Sequence, residues 1–281
     1  MLILIGSLVP FAAIGLIALW EYLRPCRPLL TPRWQRWPHN LAFIVIKKLF
    51  FRFVLPISIA GAALASQHYQ IGMLHVLQAP VIVGWVATFL ILDFCSYVIH
   101  YALHYVPWMW RLHRVHHSDT DLDVTTATRS HPFDDVIYFF VHMGVAAAVG
   151  MPPEAVLVFQ FYAGLVSKFS HGNITLPEGI EKFMHRFMVT PAMHRAHHSA
   201  LPKETNSNFS IVLPWWDGLF GTYCAMPEGG HQGMIIGLET FREPEEQKLH
   251  RLLLHPLFPN RPVPKDWRAT VQRQVSSRNP R

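Results

Sequence analysis

The chain is poor in charge and in cysteine. Asp, Glu, Lys and Arg make up 15% of its 281 residues against 51% apolar types, whereas a soluble domain carries about a quarter charged residues. That composition excludes a disordered chain. It also leaves more apolar surface than one core of this size hides, so part of it is expected to face lipid. Cys26, Cys95 and Cys224 are odd in number and show no CxxC spacing, which argues against a disulfide framework or a zinc ribbon and favours a reducing compartment. HExxH and HxxEH are missing, which disfavours a hydrolytic zinc enzyme. There is no GxGxxG and too little cysteine for an iron–sulfur cluster, so the chain carries no electron source of its own. No solenoid repeat is visible. Lys and Arg outnumber Asp and Glu by 24 to 18, a net charge of +6; in so apolar a chain this points to basic loops against anionic lipid rather than to nucleic acid.

What is present instead is a series of apolar runs. Residues 2–20 hold no charge, and about 19 helical residues reach roughly 28 Å, enough to cross a hydrocarbon core. With no basic residue before it and no small-residue cleavage site after it, this run reads as a retained span rather than a signal peptide. Arg24, Arg27, Arg33 and Arg36, mixed with prolines, form a basic linker expected on the cytoplasmic side, with the N-terminus outside. Residues 41–65 are interrupted by Lys47, Lys48 and Arg52. Their first half is expected in the interface and the rest, from Phe53, dipping into the bilayer. Residues 79–99 carry one charge in their interior, Asp93. Residues 136–149 and 155–169, separated by Gly150-Met151-Pro152-Pro153, suggest a tilted or partly inserted hairpin, each arm being short for a full crossing. Residues 105–132 read as polar surface, and 241–281 as a partly loose tail. The chain thus divides into membrane helices and linker (1–80), a central catalytic unit (81–225) and a cytoplasmic tail (226–281).

The count that stands apart is 18 histidines. His113-Arg114-Val115-His116-His117-Ser118 is echoed by His194-Arg195-Ala196-His197-His198-Ser199. On a helix, positions i, i+3 and i+4 share one face, so each HxxHH is expected to aim three imidazoles at one volume. His100 and His104 add an i, i+4 pair at the mouth of the third apolar run, and His171 follows the hairpin directly. An even number of crossings brings His171 to the side of His100 and His117. Imidazole is a common ligand for divalent iron, zinc and copper. Nine are too many for one tetrahedral zinc and suit two metals, each with a position left open. Asp93 and Tyr97 continue the His100–His104 stripe. Asp93 reads equally as an acceptor orienting a ligand and as a partner of a neighbouring Arg or Lys. Asp217, in a turn at Trp215-Trp216-Asp217-Gly218, is a further candidate for orienting a ligand, while Arg114 and Arg195 read as members of solvated ion pairs.

Asp93-x-x-x-Tyr97-x-x-His100-x-x-x-His104, the two HxxHH boxes, Thr190-Pro191, Asn208 and Trp216-Asp217-Gly218-Leu219-Phe220-Gly221-Thr222 together resemble the fatty acid hydroxylase or sterol desaturase superfamily over about residues 85–225. The resemblance implies an all-α, integral-membrane helical bundle, here with about four membrane-inserted helices or hairpins, capped on the cytoplasmic face by a helical, histidine-rich metal-binding unit. It implies two non-haem iron ions held by His100, His104, His113, His116, His117, His194, His197 and His198, with His171 matching a further family histidine. His131 also resembles a family position, with ligand and capping roles both open. His39, His68, His75, His142, His185, His231, His250 and His255 match nothing and are taken as packing or surface residues.

The chemistry expected from such a centre is O2-dependent hydroxylation or desaturation of an unactivated C–H bond in a fatty acyl, sterol or related lipid. Two electrons must come from a separate protein of ferredoxin or cytochrome b5 type. Phe139, Phe140, Phe159, Phe161 and Tyr162 are candidate walls of a lipid tunnel, though such aromatics are more often core or membrane-belt residues. Two other classes compete: a membrane haem b protein, which needs paired axial histidines on separate spans, and a divalent-metal transporter, whose site would sit near the bilayer midplane.

Overall fold

The computed structural model describes residues 2–277, and the side chains of residues 8–272. Those residues form helices and no strand, apart from isolated bridges between Pro25 and Ile174 and between Ser199 and Ile236. The long helices are α1 (Leu2–Leu23), α2 (Arg33–Phe53), α3 (Ile59–His68), α5 (Val81–Tyr105), α6 (Pro107–His117), α7 (Pro132–Val149) and α8 (Pro153–Ser170), with the single turn α4 (Met73–Val76) between α3 and α5. Shorter pieces follow: α9 (Glu178–Met184), α10 (Pro191–His197), α11 (Pro202–Thr205), α12 (Trp215–Phe220), α13 (Gly230–Gly233), α14 (Leu249–Leu254) and α15 (Trp267–Ser277).

Proline sets several of the boundaries that matter. Pro107 holds Val106 extended at φ −89°, ψ 116°, as the residue before a proline prefers, so the chain stops α5 and turns sharply into α6. Pro132, Pro153 and Pro191 likewise occupy the first turns of α7, α8 and α10, where their missing N–H costs nothing. Gly150 closes α7 in the left-handed region at φ 77°. It abuts Gly72, where a Cβ would come within 2.5 Å of the Gly150 nitrogen, so both positions need glycine for the α3–α4 turn to reach the hairpin.

The main core joins α3, α5, α7, α8 and α10 through Ala63, Leu92, Ala146, Val156, Phe159 and Met193. Two of the helices are long and apolar enough to cross a membrane, Val81–Tyr105 and Pro132–Val149, and Leu8–Leu23 is a shorter apolar stretch. The side chains of the first six residues of the expected 2–20 span lie outside those described. Val81, Ile82, Val86, Leu157 and Val158 point outward. The hairpin arms are 18 residues each, longer than expected, because Pro132 and Pro153 extend each helix below its apolar run.

Several expectations are corrected. Residues 105–132 are surface only at their start, where Tyr105, Trp108 and Arg111 are exposed: His113 to Thr126 is a continuous buried stretch. Asp119 and Asp123 are buried because Arg36, itself 3% exposed, reaches them at 2.7 and 2.6 Å. The basic linker is therefore partly interior, and Arg27 is buried as well. Residues 41–65 do not form one interrupted run; α2 ends at Phe53 and α3 starts afresh from a Ser58 cap accepting from the Gly61 N–H at 2.9 Å. The tail packs back onto the body, with Leu252 buried against Phe43 and Val115, and residues 278–281 lie outside the described residues. Trp215 to Phe220 is a short helix rather than a turn.

Candidate metal centre

The break at Val106-Pro107 folds α6 back beside α5, which sets His100 and His104 against His113 and His117. The Thr190 hydroxyl accepts from the Met193 N–H to start α10, which carries the second HxxHH. His171 caps the end of α8. All nine expected imidazoles come together in two adjoining groups: His100, His104, His113, His117 and His197 in one, and His116, His171, His194 and His198 in the other. Within each group one ring nitrogen from every member lies within 4.8 Å of those of all the others, and every member is buried.

The boxes do not each serve one volume, as their spacing suggested. The first gives His113 and His117 to the group of five and His116 to the group of four; the second gives His194 and His198 to the group of four and His197 to the group of five. The i and i+4 residues share a direction along the helix, and the i+3 residue leans across the gap. His117 and His198 stack across that gap with centroids 4.6 Å apart.

The hydrogen bonds of the outward-facing nitrogens decide what the inward ones can do. His100 Nδ1 lies 2.7 Å from the Phe209 carbonyl, His197 Nδ1 2.7 Å from that of Ser207, His116 Nδ1 3.1 Å from that of Arg129, and His171 Nδ1 2.6 Å from that of Ser167. A carbonyl only accepts, so each of these Nδ1 atoms carries the proton and each Nε2 keeps its lone pair. Nε2 atoms also meet one another: His100 and His113 at 3.1 Å, His116 and His171 at 3.1 Å, His171 and His194 at 3.0 Å, His194 and His198 at 3.2 Å. In the first two pairs both rings have their Nδ1 on an acceptor, a carbonyl or, for His113, a carboxylate, so two lone pairs face each other with no proton between them and repel. Two nitrogens each about 2.1 Å from a shared cation and about 90° apart would lie roughly 3 Å from each other. The buried Nε2 atoms of His104, His117 and His197 have no protein partner. The donor set, its spacing and its orphaned nitrogens all fit a pair of metal ions.

Electrostatics point the same way. Burial, followed by the neighbouring imidazoles, holds His116, His117, His194 and His198 well below the ordinary histidine range. Burial takes His171 down to about 4 and His197 to about 3. These rings are neutral at physiological pH, the form that ligates.

None of the three residues expected to orient a ligand hydrogen-bonds an imidazole. Asp93 accepts from the Val212 and Leu213 N–H groups at 3.1 and 3.0 Å and from Trp216 Nε1 at 2.9 Å. Asp217 accepts from the Phe209 and Ser210 N–H groups, both at 2.8 Å, and from the Thr222 hydroxyl. Tyr97 pairs with that hydroxyl at 3.0 Å. All three fasten residues 206–222, and the start of that segment is what touches the rings, through Phe209 and Ser207 carbonyls and through Asn206 Oδ1 at 3.2 Å from His104 Nδ1. Asn208, at φ 54°, ties it to Met193 and Cys224.

The carboxylate that does meet a ring is Asp134, whose Oδ2 lies 2.8 Å from His113 Nδ1. It stood outside every motif considered; the only hint was its place three residues past His131-Pro132. His131 itself joins neither group. Its Nδ1 accepts from the Phe133 N–H at 3.3 Å and its Nε2 lies 3.2 Å from the Leu253 carbonyl, so it caps α7. Arg114 and Arg195 are not solvated ion-pair members: both are 2% exposed and donate to carbonyls, Arg114 to His255 and Phe258 and Arg195 to Ile174. Phe139 and Phe159 are core residues and Phe140, Phe161 and Tyr162 face outward, as core and membrane-belt aromatics do. A cleft of about 320 Å³ does reach His104, between Trp110, Asn206, Phe241 and Arg261.

All nine of these histidines lie within the stretch that a family comparison matches. The model of the fatty acid hydroxylase family matches residues 85–222, spanning both boxes and the loop that tethers them. The chain belongs to the fatty acid hydroxylase superfamily. Among characterised hydroxylase relatives, it is 29% identical over 174 residues to the alkylglycerol monooxygenase of Xenopus tropicalis, covering 62% of this chain and 38% of that one. It is 25% identical over 223 residues to the ornithine lipid hydroxylase OlsE of Rhizobium tropici, covering 77% and 66%. To the very-long-chain aldehyde decarbonylase CER1 of Arabidopsis thaliana it is 25% identical over 141 residues, covering 46% and 21%. The match thus spans little more than a third of the alkylglycerol monooxygenase. No solved structure matches.

Proposed function

We propose that this fatty acid hydroxylase relative is a multi-pass membrane oxidoreductase. It hydroxylates or desaturates an unactivated C–H bond of a lipid, with two iron ions at a site on the cytoplasmic face and electrons from a separate ferredoxin- or cytochrome b5-type donor. The observation that carries this reading is the convergence of nine buried imidazoles into adjoining groups of five and four. His100, His104, His113, His117 and His197 would hold one ion and His116, His171, His194 and His198 the other. Bound there, iron supplies the reductive activation of O2 that cleavage of an alkane C–H bond requires. The balance for hydroxylation is one O2, two electrons and two protons per C–H bond, giving an alcohol and one water.

The chain's own residues do the positioning. Asp134 and the carbonyls of Ser167, Arg129, Ser207 and Phe209 hold the protonated Nδ1 faces of His113, His171, His116, His197 and His100, so these five rings present a lone pair inward. Burial keeps bulk water from the rings, and the cleft at His104 offers an approach. The outward-facing apolar side chains of α5 and α8 suit a lipid surround. The names of the relatives, an alkylglycerol monooxygenase, an ornithine lipid hydroxylase and an aldehyde decarbonylase, support lipid chemistry. The central unit would be residues 81–225. A haem b protein needs two axial imidazoles rather than nine, and a midplane transport site does not suit groups gathered at one end of α5 and α8.

The test is aerobic expression followed by lipid mass spectrometry of wild type and His116→Ala. A lipid with one added oxygen, or lacking two hydrogens, formed only by the wild type is the expected result; identical lipid profiles would defeat the reading.

A further inference from the structure

A second cavity, of about 450 Å³, lies away from the histidines between α1, α2 and α8. Its floor is apolar, made by Phe11 and Ile14 of α1 and Ile44 and Phe51 of α2. Its rim is basic, carrying Lys47, Lys48 and Lys168. Only Lys47 has an acidic partner, Asp135 at 2.9 Å, and it also donates to Ser130 at 2.6 Å. Lys48 sits 5.6 Å above the Phe11 ring, and Lys168 donates to the Gly164 carbonyl at 3.0 Å. Among the described residues, neither Lys48 nor Lys168 has a carboxylate within ion-pair reach, and the Lys47 and Lys168 charges oppose each other. Three ammonium groups over an apolar trough, with one carboxylate between them, form a site short of negative charge. The volume falls at the lower end of small-ligand pockets, roughly 300–1,000 Å³, which suits one alkyl chain better than two.

We propose that this cleft binds a single-chain lipid with an anionic head group, its chain along Phe11, Ile14, Ile44 and Phe51 and its carboxylate or phosphate at Lys47, Lys48 and Lys168. The site borders the backbone that orients the group of four histidines. Thr128 on its wall precedes Arg129, whose carbonyl meets His116, and Lys168 follows Ser167, whose carbonyl meets His171. It lies outside both histidine groups and is read by binding alone, so it stands or falls independently of the iron reading.

The experiment uses the full chain in phosphatidylcholine nanodiscs and measures equilibrium binding of three probes with 18-carbon chains: oleate, an alkyl phosphate and oleyl alcohol. Wild type is compared with the double variant Lys48→Gln/Lys168→Gln and with Ile44→Trp, which fills the trough and keeps the lysines. The two acids should bind wild type tightly and the alcohol weakly. The double variant should weaken the acids by roughly tenfold or more, at about 1 kcal/mol per lysine, without changing the alcohol, and Ile44→Trp should weaken all three. Binding by only one acid restricts the head group to that acid and sustains the site. If the alcohol binds wild type as tightly as the acids, or neither variant changes acid binding, the proposal is overturned. Should the double variant fail to fold, Ile44→Trp and the alcohol comparison still decide.

Discussion

Asp134 illustrates what a single side chain contributes to the centre. Its Oδ2 accepts the His113 Nδ1 proton, which commits His113 Nε2 to the group of five, and partners of this kind are worth about 10–100-fold in metal affinity. Asp134→Ala should therefore lower occupancy of the group of five while sparing the group of four, seen as bound metal falling from two toward one equivalent by elemental analysis. Two full equivalents in the variant would remove Asp134 from this role. His131 is the contrasting case. As a helix cap outside both groups, His131→Ala should leave metal content unchanged and cost about 1 kcal/mol of stability, measured by denaturant unfolding in detergent.

At the level of elements, the segment that carries α14 behaves as a strap. Leu252 fills a site between Phe43 of α2 and Val115 of α6, Gln247 accepts from Arg129, and the His255 and Phe258 carbonyls accept from Arg114. Leu252→Ala should cost about 2–5 kcal/mol, the usual penalty for a buried leucine, and should expose residues 241–260 to limited proteolysis before the rest of the chain. His255 gives the strap a pH dependence. Burial, then the Arg114, Arg129 and Arg261 charges, push its imidazole down to about 3. The unfolded chain takes up that proton below about pH 6.5 while the folded one does not, so stability declines as pH falls from about 6.5 toward 3, by about 1.4 kcal/mol at pH 5.5. Unfolding midpoints of wild type and His255→Phe at pH 7.5 and 5.5 measure this; equal pH slopes in the two proteins would exclude the contribution.

For the molecule as a whole, metal and fold are coupled. The Nε2 pairs His100–His113 and His116–His171, each at 3.1 Å, repel unless a cation lies between them, so ion binding adds to folding free energy. Chelation should lower the thermal midpoint, and iron should restore it in proportion to the logarithm of free metal. A midpoint indifferent to chelator would separate the histidine groups from metal altogether. How much of this was legible beforehand depended on range. The boxes, the hairpin and the bundle of apolar helices follow from local periodicity and from proline. Asp134, Asn206 and the carbonyls of Phe209 and Ser207 were not legible, because any carbonyl or short polar side chain can serve and only the folded path of the loop selects these. Burial of Asp119 and Asp123 was equally hidden, since their partner Arg36 is more than eighty residues earlier in the chain.

The chain by itself determined eight of the nine imidazoles, because side chains at i, i+3 and i+4 share a helix face by pitch alone; His171 was marked only by its place directly after the hairpin and by the family resemblance. Only the tertiary structure decided how those nine are shared out. Which ring leans toward which neighbour depends on the angle between α6 and α10 and on where α8 ends, and a helical repeat carries no information about another helix.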